Sequence, residues 1–230
     1  SARALLLAFA LLAGAVLAYV AARETSMFAV REVRVEGGSD RVAAEVRRAL
    51  AGTTGESLLA LDMGRVRSEV AAVPTVAAVR LDRAFPHTLI VRVVPEQPVA
   101  VIRQGARAYV VSARGRVVGS TRPGLLPGLA RIWTPHTGAG LRPGETVTGD
   151  LRSAVRAVSP LAGRRFPSRV VSVEAGEDAL TLHLRSGLEV RLGDTSEVAL
   201  KLLVARRVIP LLRPGARYLD VSVPERPVAG

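Results

Sequence analysis

The chain has 230 residues, a net charge of +12 and 32 basic residues, all of them arginine except Lys201. It has no cysteine, which excludes a disulfide framework and a thiolate zinc site. Aromatic residues make up only 3% and do not interleave with the arginines, so a base-stacking nucleic-acid surface is excluded as well.

The arginines are dispersed, with no run longer than the pairs Arg47-Arg48, Arg164-Arg165 and Arg206-Arg207. They read as solvated cations and not as a basic block. Hydrophobic residues, mainly Val, Leu and Ala, make up 49%, so the core is expected to be aliphatic.

Ala4 to Ala22 carries no charge and is bounded by Arg3 and by Arg23-Glu24. As a helix this run would be about 28 Å long, close to the hydrocarbon thickness of a bilayer. It exceeds the h-region of a cleaved signal peptide, although Val16-Leu17-Ala18 would serve as a cleavage triplet. Residues 1–24 are therefore expected to be a retained transmembrane anchor, with the remainder exported.

Residues 25–96 form the next expected domain. Val33 and Val35 alternate with Arg34 and Glu36, the pattern of a half-buried strand. Beyond Gly37-Gly38, Ser39 or Asp40 caps a helix with Val42, Val46 and Leu50 on one stripe. An apolar piece, Ser57 to Leu61, leads to Asp62, which caps a helix carrying Met63, Val66, Val70 and Val73 and stopped by Pro74. Two strands follow, with Val79 and Leu81 and then Leu89, Val91 and Val93 facing inward, joined through residues 83–87. The order is β-α-α-β-β.

Pro95 and Pro98 oppose helix and central strand alike and mark a hinge-like junction. Residues 97–230 read as a β-rich domain with helices. Strands are expected at 99–102, 109–111 and 117–118, across turns at Gly105 and Gly115. Residues 120–149, rich in Gly and Pro, read as an irregular connection. Asp150 is expected to cap a helix with Leu151, Val155, Val158 and Leu161, ended by Gly163. Strands at 170–174, 180–184 and 188–192 follow, the last two joined by Ser186-Gly187. Asp194 to Glu197 resembles a capping box opening a helix with Val198, Leu202, Ala205 and Ile209. Tyr218–Val223 is the final expected strand. The fold class is α+β.

The residues that carry chemistry do not converge. His87, His136 and His183 lack metal-ligand spacing and adjoin no carboxylate pair, so no metal is expected. Asp40, Asp62, Asp150 and Asp194 are accounted for as helix caps. Nucleophile-elbow, phosphate-loop and dinucleotide fingerprints are missing, and no cofactor or catalytic residue is assigned. Trp133 reads as a core plug beneath a loop.

The order of these fragments resembles a known family. Phe28-Ala29-Val30-Arg31-Glu32-Val33-Arg34-Val35-Glu36-Gly37, Leu58-Leu59-Ala60-Leu61-Asp62, Val73-Pro74-Thr75-Val76 and Phe85-Pro86-His87-Thr88-Leu89 resemble a POTRA domain. Pro95-Glu96-Gln97-Pro98, Leu188 to Asp194 and Tyr218 to Pro224 are similar to the β domain of the bacterial cell-division FtsQ/DivIB family. The resemblance implies a non-enzymatic, single-pass inner-membrane protein of the division septum. It implies partners of the FtsL and FtsB/DivIC type and, through them, control of the septal peptidoglycan synthase. It places partner capture at the end of the β domain and recruitment on the POTRA domain.

The last strand supplies a mechanism for capture. Leu219, Val221 and Val223 are expected to face the core, and Tyr218, Asp220 and Ser222 to face away. Placed last and ended by Pro224 and Pro227, this strand is expected to be a free sheet edge that accepts a partner strand. Arg217 and Arg226 would attract acidic side chains, Tyr218 would anchor the partner, and Val223 stands where some relatives carry a second aromatic. Arg80, Asp82 and Arg83, on the exposed face of a POTRA strand, are weaker candidates for recruitment. The alternatives are a POTRA-type translocation or assembly factor and a wall-polymer-binding module.

Overall fold

A computed structural model describes residues 2–24, 26–104, 106–122, 124–126, 128–133, 140–162, 166–176 and 179–230; in the first helix, side chains are described for residues 6–17, 19 and 20. The expectations placed on Gly105, His136 and Gly163 lie outside the described residues. The chain divides into two units, Ser1–Pro95 and Glu96–Gly230.

The first unit opens with α1 (Ala2–Glu24). Among the described residues no helix is long and apolar enough to cross a membrane. The longest run of described side chains in α1 is residues 6–17. The βααββ order follows as β1 (Glu32–Glu36), α2 (Asp40–Ala49), α3 (Met63–Ala72), β2 (Val76–Ala84) and β3 (Thr88–Pro95). Local chemistry explains the breaks. Asp62 Oδ1 accepts hydrogen bonds from the amides of Gly64 (2.8 Å) and Arg65 (3.1 Å), which opens α3 and holds the Asp62 carboxyl below its usual range. Ser39 precedes α2 but makes no side-chain cap.

The sheet order is β1-β3-β2, parallel between β1 and β3 and antiparallel between β2 and β3. The β1–β3 pair can be parallel because a long connection, α2, α3 and β2, separates its strands, and the β2–β3 hairpin is antiparallel because a short loop joins them. The core is aliphatic, with Val46, Leu50, Leu58, Val66, Val70, Leu89 and Val91 fully buried. Gly37 sits at the end of β1 with φ +87, and a β-carbon there would run into the carbonyl oxygen of Val93. Gly37→Ala is therefore expected to cost the first unit at least about 1–3 kcal/mol. Faster amide exchange in β1 and β3 would register the loss; exchange identical to wild type would refute it.

The second unit is a nine-stranded sheet with helices packed against it. Its elements are β4 (Pro98–Gln104), β5 (Arg107–Ser112), β6 (Val117–Thr121), β7 (Ala130–Trp133), α4 (Gly149–Val158), β8 (Val170–Ala175), β9 (Leu180–Leu184), β10 (Glu189–Gly193), α5 (Val198–Val208), β11 (Tyr218–Asp220) and β12 (Val228–Ala229). The order across the sheet is β12-β11-β10-β9-β8-β7-β4-β5-β6. Inward residues such as Ile102, Ile132, Val173, Leu182, Val190 and Leu219 join Val155 and Leu202 of the helices in one core.

Several expectations are corrected here. Pro95 and Pro98 do not interrupt the strands: they are the last residue of β3 and the first of β4, positions at which a sheet tolerates a missing donor. The supposed irregular connection contains β7, which lies between β4 and β8 and is parallel to both. Four residues are too few to announce a strand, and their partners are distant in the chain. Asp150 lies in the first turn of α4, behind the N-cap Thr148. The Asp194 capping box is not formed, because the N-cap of α5 is Glu197 itself, in the left-handed region at φ 47. Trp133 is no core plug, since 45% of its surface is exposed.

Candidate partner interface

β11 is built onto β10 by parallel pairing of Glu189 with Tyr218, Val190 with Leu219 and Arg191 with Asp220. The Val221 amide continues this ladder by donating to the Arg191 carbonyl at 2.9 Å. Leu219 and Val221 are fully buried, as their alternation requires. Val223 breaks the alternation and stands 53% exposed, because the strand has ended before it. The Arg226 amide donates to the Val223 carbonyl at 3.0 Å, closing a turn with Pro224 at its second position.

That turn overturns the free-edge expectation. The chain reverses, and β12 pairs antiparallel with β11, setting Leu219 opposite Ala229 and Asp220 opposite Val228. The Arg217 and Tyr218 amides donate to the Gly230 carbonyl at 2.7 and 3.0 Å, and the Gly230 amide donates to the Tyr218 carbonyl at 3.2 Å. Tyr218–Asp220 therefore has a strand on each side. The outer strand is β12, two residues that sequence periodicity has no means of signalling.

Because Tyr218 and Gly230 exchange two hydrogen bonds, the next residue inward, Ala229, turns its own N–H and C=O away from β11. Beside this edge lies a hollow of about 470 Å³ lined by Leu211, Leu212, Arg213, Gly215, Ala216, Ala229 and Gly230. Leu211 is 81% exposed at its rim.

The remaining expected partner residues fall around the same end of the sheet. Arg191 stacks its guanidinium over the Tyr218 ring at 4.4 Å. Asp220 accepts from the Ser222 amide (2.9 Å) and hydroxyl (2.6 Å), so both side chains are committed to a local turn. Gly193, with φ +65, lets Ser222 approach: a β-carbon there would lie 2.8 Å from that of Ser222. Arg226 is exposed on the turn.

Lys201 secures the connection from β10 into α5. Its side chain is 2% exposed, and its ammonium donates to Asp194 Oδ1 at 2.5 Å and to the Asp194 carbonyl at 3.2 Å. That ammonium, together with the hydroxyl and amide of Ser196, holds the Asp194 carboxyl down at about 2.

In the first unit, Arg80 and Asp82 lie on the exposed face of β2, with Asp82 3.7 Å from Arg92. Arg83 does not share that face. It alternates to the opposite side and donates to the Leu61 carbonyl at 2.8 Å. His183 has carboxylate neighbours after all: Glu174 at 3.5 Å and Glu189 at 3.9 Å approach it from the adjacent strands. Cross-strand register makes that cluster, which linear spacing does not show. No group of three residues able to hold a metal occurs among the described residues.

A βααββ unit followed by a β-rich unit with helices defines a POTRA-bearing, α+β class of protein. Residues 28–94 match the family described as POTRA domain, FtsQ-type, and residues 100–222, more than half of the chain, match Cell division protein FtsQ/DivIB, C-terminal. The chain belongs to the FtsQ/DivIB family of cell-division proteins. It is similar to Cell division protein FtsQ of Streptomyces bingchenggensis, 28% identical over 88% of this chain and 76% of the relative. It also resembles the protein of that name from Streptomyces collinus, 29% identical over 89% and 79%. A third, from Agrobacterium fabrum, is 27% identical over 78% of this chain and 53% of its own length.

Proposed function

We infer that the protein is a non-enzymatic division scaffold that captures single-pass partners of the FtsB/DivIC and FtsL types outside the cytoplasm and links them to septal peptidoglycan synthesis. α1, about 34 Å long at 1.5 Å per residue, is its single-pass anchor in the cell membrane at the septum. Residues 25–96 serve as the POTRA domain and residues 97–230 as the β domain. Capture is by strand addition to the outer side of β12, with partner side chains seated beside Leu211 and Val223 and acidic groups drawn to Arg217 and Arg226. Tyr218, Asp220 and Ser222 support this edge from beneath. Arg80 and Asp82 are the recruitment surface of the POTRA domain, with Arg83 holding its strand in place.

One observation carries the reading. Among the described residues the sheet ends on a two-residue strand whose outward backbone groups adjoin a hollow rimmed by exposed Leu211. An open edge of this kind is a template for another strand.

Ala229→Pro removes one outward N–H and leaves the β11–β12 bonds in place. It is expected to weaken binding of an FtsB-type partner domain about tenfold or more, with the unfolding midpoint retained. Undiminished binding by the folded variant would eliminate capture at this edge. Imaging a fluorescent fusion in dividing cells tests the division role separately: mid-cell bands are expected, and uniform envelope fluorescence would contradict it.

A further inference from the structure

Trp133 is the chain's single tryptophan, and it stands on the sheet face turned away from α4 and α5. It is 45% exposed at the C-terminal end of β7. The Arg103 guanidinium of β4 lies over its ring at 5.4 Å. Next to the pair is a hollow of about 330 Å³ whose floor is Val101 and Ala108. Leu125 and Leu126 form one wall, 56% and 45% exposed. Leu126 holds the left-handed region at φ +60, a conformation rare for a branched side chain, while its side chain is left in solvent. Arg131 completes the opposite wall, and among the described residues no ion pair engages it.

We propose that this hollow is a second docking site, distant in the sheet order from β12, for a short peptide segment of a partner protein carrying an apolar side chain beside a carboxylate. The apolar side chain enters between Leu125, Leu126 and Trp133. The carboxylate pairs with Arg131. The chain's charge of +12 favours approach of an acidic segment.

Two other ligand classes fit less well. A wall glycan needs neutral hydrogen-bonding groups, and the described lining residues include no Ser, Thr, Asn or Gln. A nucleic acid needs successive stacking faces, and here a single tryptophan already carries an arginine on its ring.

The sole tryptophan makes its emission a local readout. The full chain in detergent would be titrated with capped Glu-Leu-Phe-Glu, Gln-Leu-Phe-Gln and Glu-Ser-Ser-Glu peptides, with muramyl dipeptide and with oligothymidylate. A saturable shift is expected with Glu-Leu-Phe-Glu, at least about tenfold weaker with either control peptide. Arg131→Glu should reverse the preference toward a Lys-Leu-Phe-Lys peptide, and Arg131→Gln should flatten it if the reversal variant does not fold. Equal responses to all three peptides, no saturable response to Glu-Leu-Phe-Glu, or a stronger response to muramyl dipeptide or oligothymidylate would overturn the assignment.

Discussion

Leu219→Ala is expected to destabilise the second unit by about 2–5 kcal/mol, the usual range for removing a fully buried leucine side chain and leaving a cavity. The position is unusually exposed to consequence because β11 is only three residues long. Its attachment rests on a short parallel ladder to β10 and on two inward side chains, Leu219 and Val221, both fully buried. Among the described residues β12 pairs in the sheet only with β11. Loosening Leu219 therefore loosens both outer strands and the proposed capture edge with them. The result would be read as a lower urea midpoint by Trp133 fluorescence, faster amide exchange across 217–230, and loss of partner binding. A variant with wild-type exchange in that segment would show that β11 is held by something other than its buried side chains.

The second large effect concerns Lys201. Its ammonium is buried, and its carboxylate partner is solvent-facing, with the Asp194 side chain 60% exposed. The two are unequal: removing the carboxylate strands a buried charge, whereas removing the charge and keeping the stem does not. Asp194→Ala is expected to lower the unfolding midpoint clearly, Lys201→Met to change stability by less than about 1.5 kcal/mol, and the double variant to recover most of the loss. A double variant as unstable as Asp194→Ala would show that the damage lies in the turn with Ser196 and not in the stranded ammonium.

The same pair sets an acid dependence. The folded Asp194 carboxyl titrates near 2, below its ordinary 3.8. Its contribution is therefore fully present above about pH 4 and is lost as the pH falls from 3.8 through 2. Asp194→Asn should flatten stability over that interval and leave its slope above pH 5 unaltered. An unchanged acid limb would remove the pair as a source of acid sensitivity.

Particular residues show where sequence sufficed. Val42, Val46 and Leu50 at helical spacing, Asp62 before Met63, and the alternation of Leu89, Val91 and Val93 each announce an element through neighbours a few positions away. The Ser186-Gly187 turn does the same for the β9–β10 hairpin, with Gly187 at φ 86. The candidate interface was legible only in part. Tyr218 to Val223 marked the right end of the sheet, and Leu219 and Val221 face inward as their spacing requires, but the strand stops at Asp220 and its far side is covered.

By itself the sequence determined the longer helices and strands, the aliphatic core and the βααββ unit, because period, caps and breakers act within a few residues. The tertiary structure alone decided that Ala130–Trp133 is an interior strand, that Val228–Ala229 covers the expected edge, that Lys201 is buried and that Trp133 is exposed. Each of those outcomes depends on which distant backbone groups pair and what surface then remains for water, and short segments carry no local pattern that specifies it.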